Sequence, residues 1–233
     1  MEISLAELME EIRSRLELIE AHLPGRVDAM VSPDSKLPFK ALIYREALIW
    51  RMAELVRGAY EDFEKDRLAN AILLTRAAVE TSSGLWYLCA KIDAALKAKA
   101  VGDIDDYLIR LAIGSRTDPV MPQAISVMTF IDRVEKDVEG FRQQYDLLSE
   151  FSHPNWAGTA LLYSKPDPPN LWTGFGRNIC GIDRPKNIGV INLSVALMFF
   201  ERSYNRLADV MPAFIELCRG RHTAEEGGSP GAV

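Results

Sequence analysis

The segment 67–98 constrains the fold more than any other part of the chain, because its pattern is that of one long helix, apolar on nearly all sides. A helix of this kind must be surrounded by other elements that cover its apolar surface. Its charged pair, Arg76 and Glu80, is spaced four residues apart and therefore lies on one helix face. The segment predicts the central, buried helix of an all-α helical bundle.

Apolar residues recur at three- and four-residue steps through most of the remaining chain, which predicts further helices. These predicted helices cover 3–23, 39–64, 103–114, 122–138, 140–152 and 187–219. Ser4 with Glu7 fits a capping box at the start of the first helix. Asp66 is expected to cap the central helix. Pro212 lies inside the last predicted helix, where a proline kinks or divides a helix.

The segment 154–186 departs from the helical pattern, since it is rich in Pro, Gly, Asn and aromatic residues. Within it, 158–164 and 170–176 are predicted to form two short strands. We therefore expect one helical bundle domain over 1–219 that contains a small β-hairpin or irregular excursion. A disordered tail is expected over 220–233.

Composition narrows the classes of function. The formal net charge is −6, so the chain lacks the global positive field that drives non-specific nucleic-acid binding, although a local basic site remains compatible with it. No apolar run is long enough to span a membrane, and the acidic, amphipathic N-terminus differs from a signal peptide. These features predict a protein that does not enter membranes.

The cysteine and histidine residues indicate neither a disulfide framework nor a metal site. They are far apart in sequence and show no zinc-ligand spacing, so we expect no metal and no cofactor. A sparse, odd number of thiols is typical of a reduced, cytoplasmic protein. These residues are Cys89, Cys180, Cys218, His22, His153 and His222.

The pair Arg76 and Glu80 allows two interpretations. A buried charge must be paired and hydrogen-bonded, because otherwise its burial costs several kcal/mol. The first interpretation is an internal ion pair that holds helices in register. The second is a pair that faces a ligand in a polar pocket.

The segment 145–155, YDLLSEFSHPN, carries a second candidate site. On the helix predicted there, one stripe is polar (Arg142, Asp146, Ser149, His153) and the opposite side is apolar (Phe141, Tyr145, Leu148, Phe151). Pro154 disfavours helical geometry at His153, so the helix should end there. The polar stripe is either a solvated surface or the approach to a functional histidine beside a loop. Two residues of that loop, Asn155 and Trp156, are candidates for ligand contact.

These motifs together resemble a known family. The patterns ILLTRAAVET and YDLLSEFSHPN are similar to those of a poorly characterised bacterial branch of the HEPN superfamily, over about 67–98 and 141–156. The resemblance implies a helical bundle, often dimeric, of a kind found in toxin–antitoxin, abortive-infection and other defence or stress systems. Active HEPN proteins are metal-independent endoribonucleases that use an Arg-x(4–6)-His motif, whose two residues meet across the dimer interface.

The present sequence departs from that motif, since none of residues 146–149 is arginine. The nearest upstream arginine, Arg142, lies eleven residues before His153. That spacing corresponds to about 16 Å of helical rise, too far for the two side chains to meet within one helix. Arg76 could supply the missing arginine only if the fold placed it beside His153.

Two classes of function follow. In the first, the protein is a binding or interaction module, expected to form a homodimer and to bind a protein or RNA partner through the polar site. In the second, it is an endoribonuclease in which His153 is the general acid or base, Arg76 stabilises the phosphorane and Glu80 orients Arg76. Ser149, Asn155 and Trp156 would then contact the substrate. Both classes predict that His153 lies close to Arg76 and Glu80, because the charged pair needs partners from a neighbouring helix.

Overall fold

The computed structural model describes residues 4–226, with side chains as far as residue 220. This part of the chain is an all-α helical bundle with a small antiparallel hairpin, which confirms the predicted fold class. The helices are α1 (Leu5–Ala21), α2 (Lys36–Glu64), α3 (Leu68–Ala98), α4 (Ile104–Ile113), α5 (Val127–Glu135), α6 (Phe141–Ser152), α7 (Leu161–Tyr163) and α8 (Asp183–Glu226). The strands are β1 (Ser164–Asp167) and β2 (Trp172–Phe175).

Helix α3 is the centre of the bundle, as its apolar sequence predicted. It packs against α2, α5, α6 and α8. Its buried hydroxyl groups donate hydrogen bonds to carbonyl oxygens one turn earlier in the same helix, at 2.7–2.9 Å. Because those donors are satisfied inside the helix, the polar residues of its middle section can be buried at low cost. They are Thr75, Thr81, Ser82 and Ser83.

Close contact between α8 and the rest of the bundle depends on Gly189. A Cβ atom at this position would lie 2.4 Å from Cζ of Phe63 on α2, so only glycine allows this approach. Helix α8 passes through Pro212 as one helix and continues to Glu226, past the end predicted at residue 219. Of the predicted tail, residues 227–233 lie outside the described residues.

Predicted helix caps have mixed outcomes. The capping box of Ser4 and Glu7 is present, and α1 follows it directly. Asp66 does not cap α3, and that prediction is wrong. Its backbone is left-handed, with φ of 51°, and its carboxylate accepts a hydrogen bond of 2.6 Å from Nζ of Lys186. Asp66 therefore joins the start of α3 to the start of α8.

The excursion contains one strand where we predicted it and one that is displaced. Strand β2 lies within the predicted 170–176, but the predicted strand 158–164 is wrong, because Trp156–Ala160 forms a wide helical turn that continues into α7. Gly158 makes this turn possible, since a Cβ atom there would lie 2.0 Å from the backbone oxygen of His153. Strand β1 begins only at Ser164, and the register runs from Ser164 opposite Phe175 to Asp167 opposite Trp172.

Candidate functional site

Three side chains form a closed polar network where α3 meets α6. Nη2 of Arg76 donates to the hydroxyl oxygen of Tyr145 at 2.9 Å, and that hydroxyl donates to Oε1 of Glu80 at 2.9 Å. Nε of Arg76 lies 3.3 Å from the same oxygen of Glu80. Each of the three groups thus contacts the other two, and we call this set the Arg–Glu–Tyr network.

The network lies at a seam and not in the deep interior. Tyr145 is buried, at 4% exposure, whereas the side chains of Arg76 and Glu80 are 28% and 25% exposed. Burial raises the pKa of Tyr145; the hydrogen bond from Arg76 opposes this shift and the one to Glu80 adds to it. The prediction of a fully buried charged pair is therefore corrected to a half-buried pair that covers a buried tyrosine hydroxyl.

The apolar side of α6 supplies Tyr145. The four residues predicted to lie on that side are buried, and they are Phe141, Tyr145, Leu148 and Phe151. On the polar side, Arg142 is ion-paired with Asp132 at 2.6 Å and with Asp146 at 3.3 Å. The beginning of the polar stripe is thus a set of exposed ion pairs, in agreement with the solvated interpretation.

Among the partners of Arg76 and Glu80 in the described residues, His153 is absent, so the predicted contact is not found. Helix α6 ends at Ser152 and His153 has extended backbone geometry, as its position before Pro154 predicted. The imidazole is exposed, and within residues 4–220 no hydrogen bond or ion pair to it is found. His153 lies eight residues beyond Tyr145, about 12 Å along a helix axis. The partner that the charged pair required is the hydroxyl of Tyr145.

The remaining predicted site residues have structural roles or are exposed. The hydroxyl of Ser149 donates to the backbone oxygen of Tyr145 at 3.0 Å, inside its own helix. The side chain of Asn155 accepts hydrogen bonds from the backbone nitrogens of Ala157 and Gly158, at 3.0 and 3.1 Å. Asn155 therefore caps the wide turn that follows it, whereas Trp156 is 65% exposed.

Large apolar side chains are exposed on and beside the hairpin. Leu171 is 93% exposed, Phe175 79% and Trp172 56%, and Trp156 stands at the start of the same excursion. The indole of Trp172 lies along the hairpin, since a Cβ atom on Gly174 would be 2.9 Å from its Cζ3. We call the exposed side chains of Trp156, Leu171, Trp172 and Phe175 the hairpin surface; because side chains alternate along a strand, Trp172 and Phe175 lie on opposite faces of β2. The sequence signal of the hairpin surface was the aromatic content of 154–186, from which the prediction selected only Trp156 as a candidate for ligand contact.

A second network of the same three residue types was missed in the sequence. Arg45 and Glu46 are ion-paired, and their side chains are only 12% and 13% exposed. The hydroxyl of Tyr204 donates to Oε2 of Glu46 at 2.5 Å, and the guanidinium of Arg45 lies 3.4 Å from the centre of the Tyr204 ring. Burial, together with the bond to Glu46, raises the pKa of Tyr204 to about 12. Neighbouring residues in a helix point in different directions, so the spacing of Arg45 and Glu46 gave no indication of this network.

Two kinds of chemistry lack support in the described residues. No group of three or more His, Cys, Asp and Glu side chains is placed to hold a metal ion within that part of the chain. Burial raises the pKa of the Cys89 thiol to about 12, which leaves it a poor nucleophile.

Among the described helices, none is long and apolar enough to cross a bilayer.

Comparison with known proteins adds no relative to these observations. No family model, no curated protein and no solved structure matches the chain. The resemblance to HEPN proteins therefore remains a prediction from two sequence motifs. Any assignment of function depends on the geometry of the networks and of the hairpin surface.

Proposed function

We propose that this protein is a non-catalytic interaction module that assembles through its hairpin surface, with a second copy of the chain as the partner. The observation that carries the proposal is the exposure of Leu171, Trp172 and Phe175 on one short hairpin. Large apolar side chains exposed on one small element favour association with a partner, because burial there removes them from water. Aromatic side chains in particular dominate the binding energy of protein interfaces.

The unpaired edges of the hairpin also favour pairing with a second copy. A two-stranded hairpin is marginally stable alone in water, and both of its strands are edges. Strand β1 contains Pro166, which has no N–H to donate, so β2 is the edge open to pairing. Two β2 strands related by a two-fold axis would form a four-stranded sheet, with Trp172 on one face and Phe175 on the other. The resemblance to HEPN proteins, which are often dimeric, predicts the same state.

Charge favours a protein partner over RNA at this surface. Residues 154–186 contain four basic side chains and two acidic ones, a net charge of +2. One of the four, Lys186, is already paired with Asp66, and the whole chain carries −6. Phosphate binding depends on neutralising several phosphates at once, and so small a basic excess cannot do this.

The polar networks support a structural role in place of catalysis. Arg76 is held by both Tyr145 and Glu80, so its guanidinium is committed to protein partners. Within the described residues of one chain, no hydrogen bond or ion pair joins His153 to Arg76, which supports the non-catalytic proposal. We therefore propose that the Arg–Glu–Tyr network fixes the register of α6 against α3.

The test is the molar mass in solution across a range of protein concentrations, by light scattering and sedimentation. We expect a dimer of the 26.1 kDa chain, and a shift to monomer in the double variant Trp172→Ala/Phe175→Ala, with an unchanged far-ultraviolet circular-dichroism spectrum showing that the helical bundle is still folded. The matched control is Leu18→Ala/Val120→Ala, which removes two exposed apolar side chains elsewhere and should leave the dimer intact.

A monomer at every concentration would contradict the proposal, and so would a dimer that survives loss of Trp172 and Phe175. The absence of catalysis is tested separately, with labelled single-stranded RNA in the presence of a chelator. We expect no cleavage. Cleavage that His153→Ala abolishes would contradict the non-catalytic assignment.

A further inference from the structure

A cleft lined by charged side chains lies outside the hairpin, and the proposed assembly does not use it. It lies between α3, the end of α5 and α8, and has a volume of about 470 Å³. Volumes of roughly 300–1,000 Å³ are usual for small-molecule sites. Trp86, in its wall, lies ten residues beyond Arg76, about 15 Å farther along the axis of α3. The cleft is therefore separate from the Arg–Glu–Tyr network.

Three guanidinium groups surround this cleft, and two of them are ion-paired. Arg133 donates to Asp137 at 3.0 Å, and Arg206 donates to Asp93 at 2.7 Å. Asp137 also accepts from Nε1 of Trp86 at 2.8 Å, so this carboxylate is engaged twice. Both carboxylates are thus occupied by partners within the cleft wall.

The third guanidinium, that of Arg202, differs from the other two. Within residues 4–220 it has no ion pair and no hydrogen bond, and it lies 5.5 Å from the ring centre of Trp86. The remaining acid of the cleft wall is Asp209, and its negative charge helps to raise the pKa of Arg206. A guanidinium has five N–H donors in a planar fork that matches a carboxylate or a phosphate. Arg202 thus presents an uncommitted anion-binding group beside an aromatic ring.

We propose that this cleft binds a small organic anion, with Arg202 contacting its carboxylate or phosphate and Trp86 and Ala90 contacting a compact apolar body. The thiol of Cys89 lines the cleft but is only 8% exposed, and it donates a hydrogen bond to the backbone oxygen of Ser203 at 3.2 Å. Because this thiol is not available as a nucleophile, we propose binding and no covalent reaction. The paired carboxylates of Asp93 and Asp137 would hold Arg206 and Arg133 in position.

The indole N–H signal of Trp86 in a nitrogen–proton NMR spectrum reports directly on this cleft. The chain has four tryptophans, so the signal is assigned by its disappearance in Trp86→Phe. The probes are benzoate and phenyl phosphate, with inorganic phosphate as the anion lacking an apolar body and phenol as the neutral body lacking an anion. We expect saturable shifts with benzoate or phenyl phosphate, and weaker or no shifts with the other two.

Arg202→Ala should weaken binding about tenfold or more, the loss expected for charge-assisted hydrogen bonds. The matched control is Arg116→Ala, which removes an exposed arginine from a loop outside the cleft and should leave the dissociation constant unchanged. A signal of Trp86 that no probe moves would overturn the proposal, as would equal binding by Arg202→Ala. Equal shifts with phenol would refute the recognition of an anion.

Discussion

Replacing Tyr145 by phenylalanine removes one hydroxyl group and tests the Arg–Glu–Tyr network with little change in shape. The hydroxyl accepts from Arg76 and donates to Glu80, both at 2.9 Å. Hydrogen bonds to charged groups contribute about 1.5–3 kcal/mol when they are buried. Arg76 and Glu80 are 28% and 25% exposed, so after the substitution water replaces part of what is lost, and their direct 3.3 Å contact remains.

We therefore expect Tyr145→Phe to lower the free energy of unfolding by about 1–2 kcal/mol. For a domain of this size, that corresponds to a fall in melting temperature of about 2–8 °C. The assay is urea unfolding followed by far-ultraviolet circular dichroism. The control is Tyr163→Phe, which removes the hydroxyl of a tyrosine that is 40% exposed and should cost less than about 0.5 kcal/mol.

A double-mutant cycle with Glu80→Gln identifies the source of the loss. Because Tyr145 donates to Glu80, the two substitutions should not be additive, and the coupling should exceed about 0.5 kcal/mol. A Tyr145→Phe protein as stable as the Tyr163→Phe control would refute the reasoning. Full additivity with Glu80→Gln would show that the hydroxyl and the carboxylate act independently.

Three further outcomes follow from burial. In the native protein Cys180 should react rapidly with a thiol reagent and Cys89 slowly, because Cys180 is exposed and Cys89 is buried with its pKa raised to about 12; equal rates would contradict this. Burial and the bond to Glu46 raise the pKa of Tyr204 from 10.0 to about 12, so its stabilising contribution should be complete below pH 10 and lost between pH 10 and 12. Unfolding at a series of pH values measures this loss, which Tyr204→Phe should reduce. Gly189→Ala should destabilise the fold by about 1–3 kcal/mol, since its Cβ would collide with a buried ring, whereas Gly25→Ala meets open space and should be neutral in the same urea assay.

Helix positions were predictable because their apolar periodicity is local. Segment 67–98 was predicted as one central helix, and α3 covers Leu68–Ala98. Strand β1 was not predictable in the same way, because Asn155 and Gly158 set a wide turn through hydrogen bonds and close contacts that periodicity does not encode. The partial β character of residues 158–164 in sequence was thus overridden by the geometry of the preceding turn.

In the candidate site, too, contacts between distant segments could not be predicted from local sequence patterns. Spacing placed Arg76 and Glu80 on one face, and they do form an ion pair. The residue that completes their network is Tyr145, which the apolar pattern of α6 assigned correctly to the buried side. Its hydroxyl was overlooked as a partner because a tyrosine in an apolar stripe was counted as core. The depth of the pair could not be derived either, since a seam between helices and a sealed interior have the same local sequence.

The central claim, that copies of this protein assemble through strand β2, is tested most directly by cross-linking across the proposed two-fold axis. Thr173 is exposed in the middle of β2, so Thr173→Cys in a Cys180→Ser background places one accessible thiol near that axis. With a short bis-maleimide, this variant should give a covalent dimer in high yield. The control is Leu18→Cys in the same background, which places a thiol at an exposed position of α1. It should give almost no covalent dimer. No dimer from Thr173→Cys, or equal yields from both variants, would contradict the account.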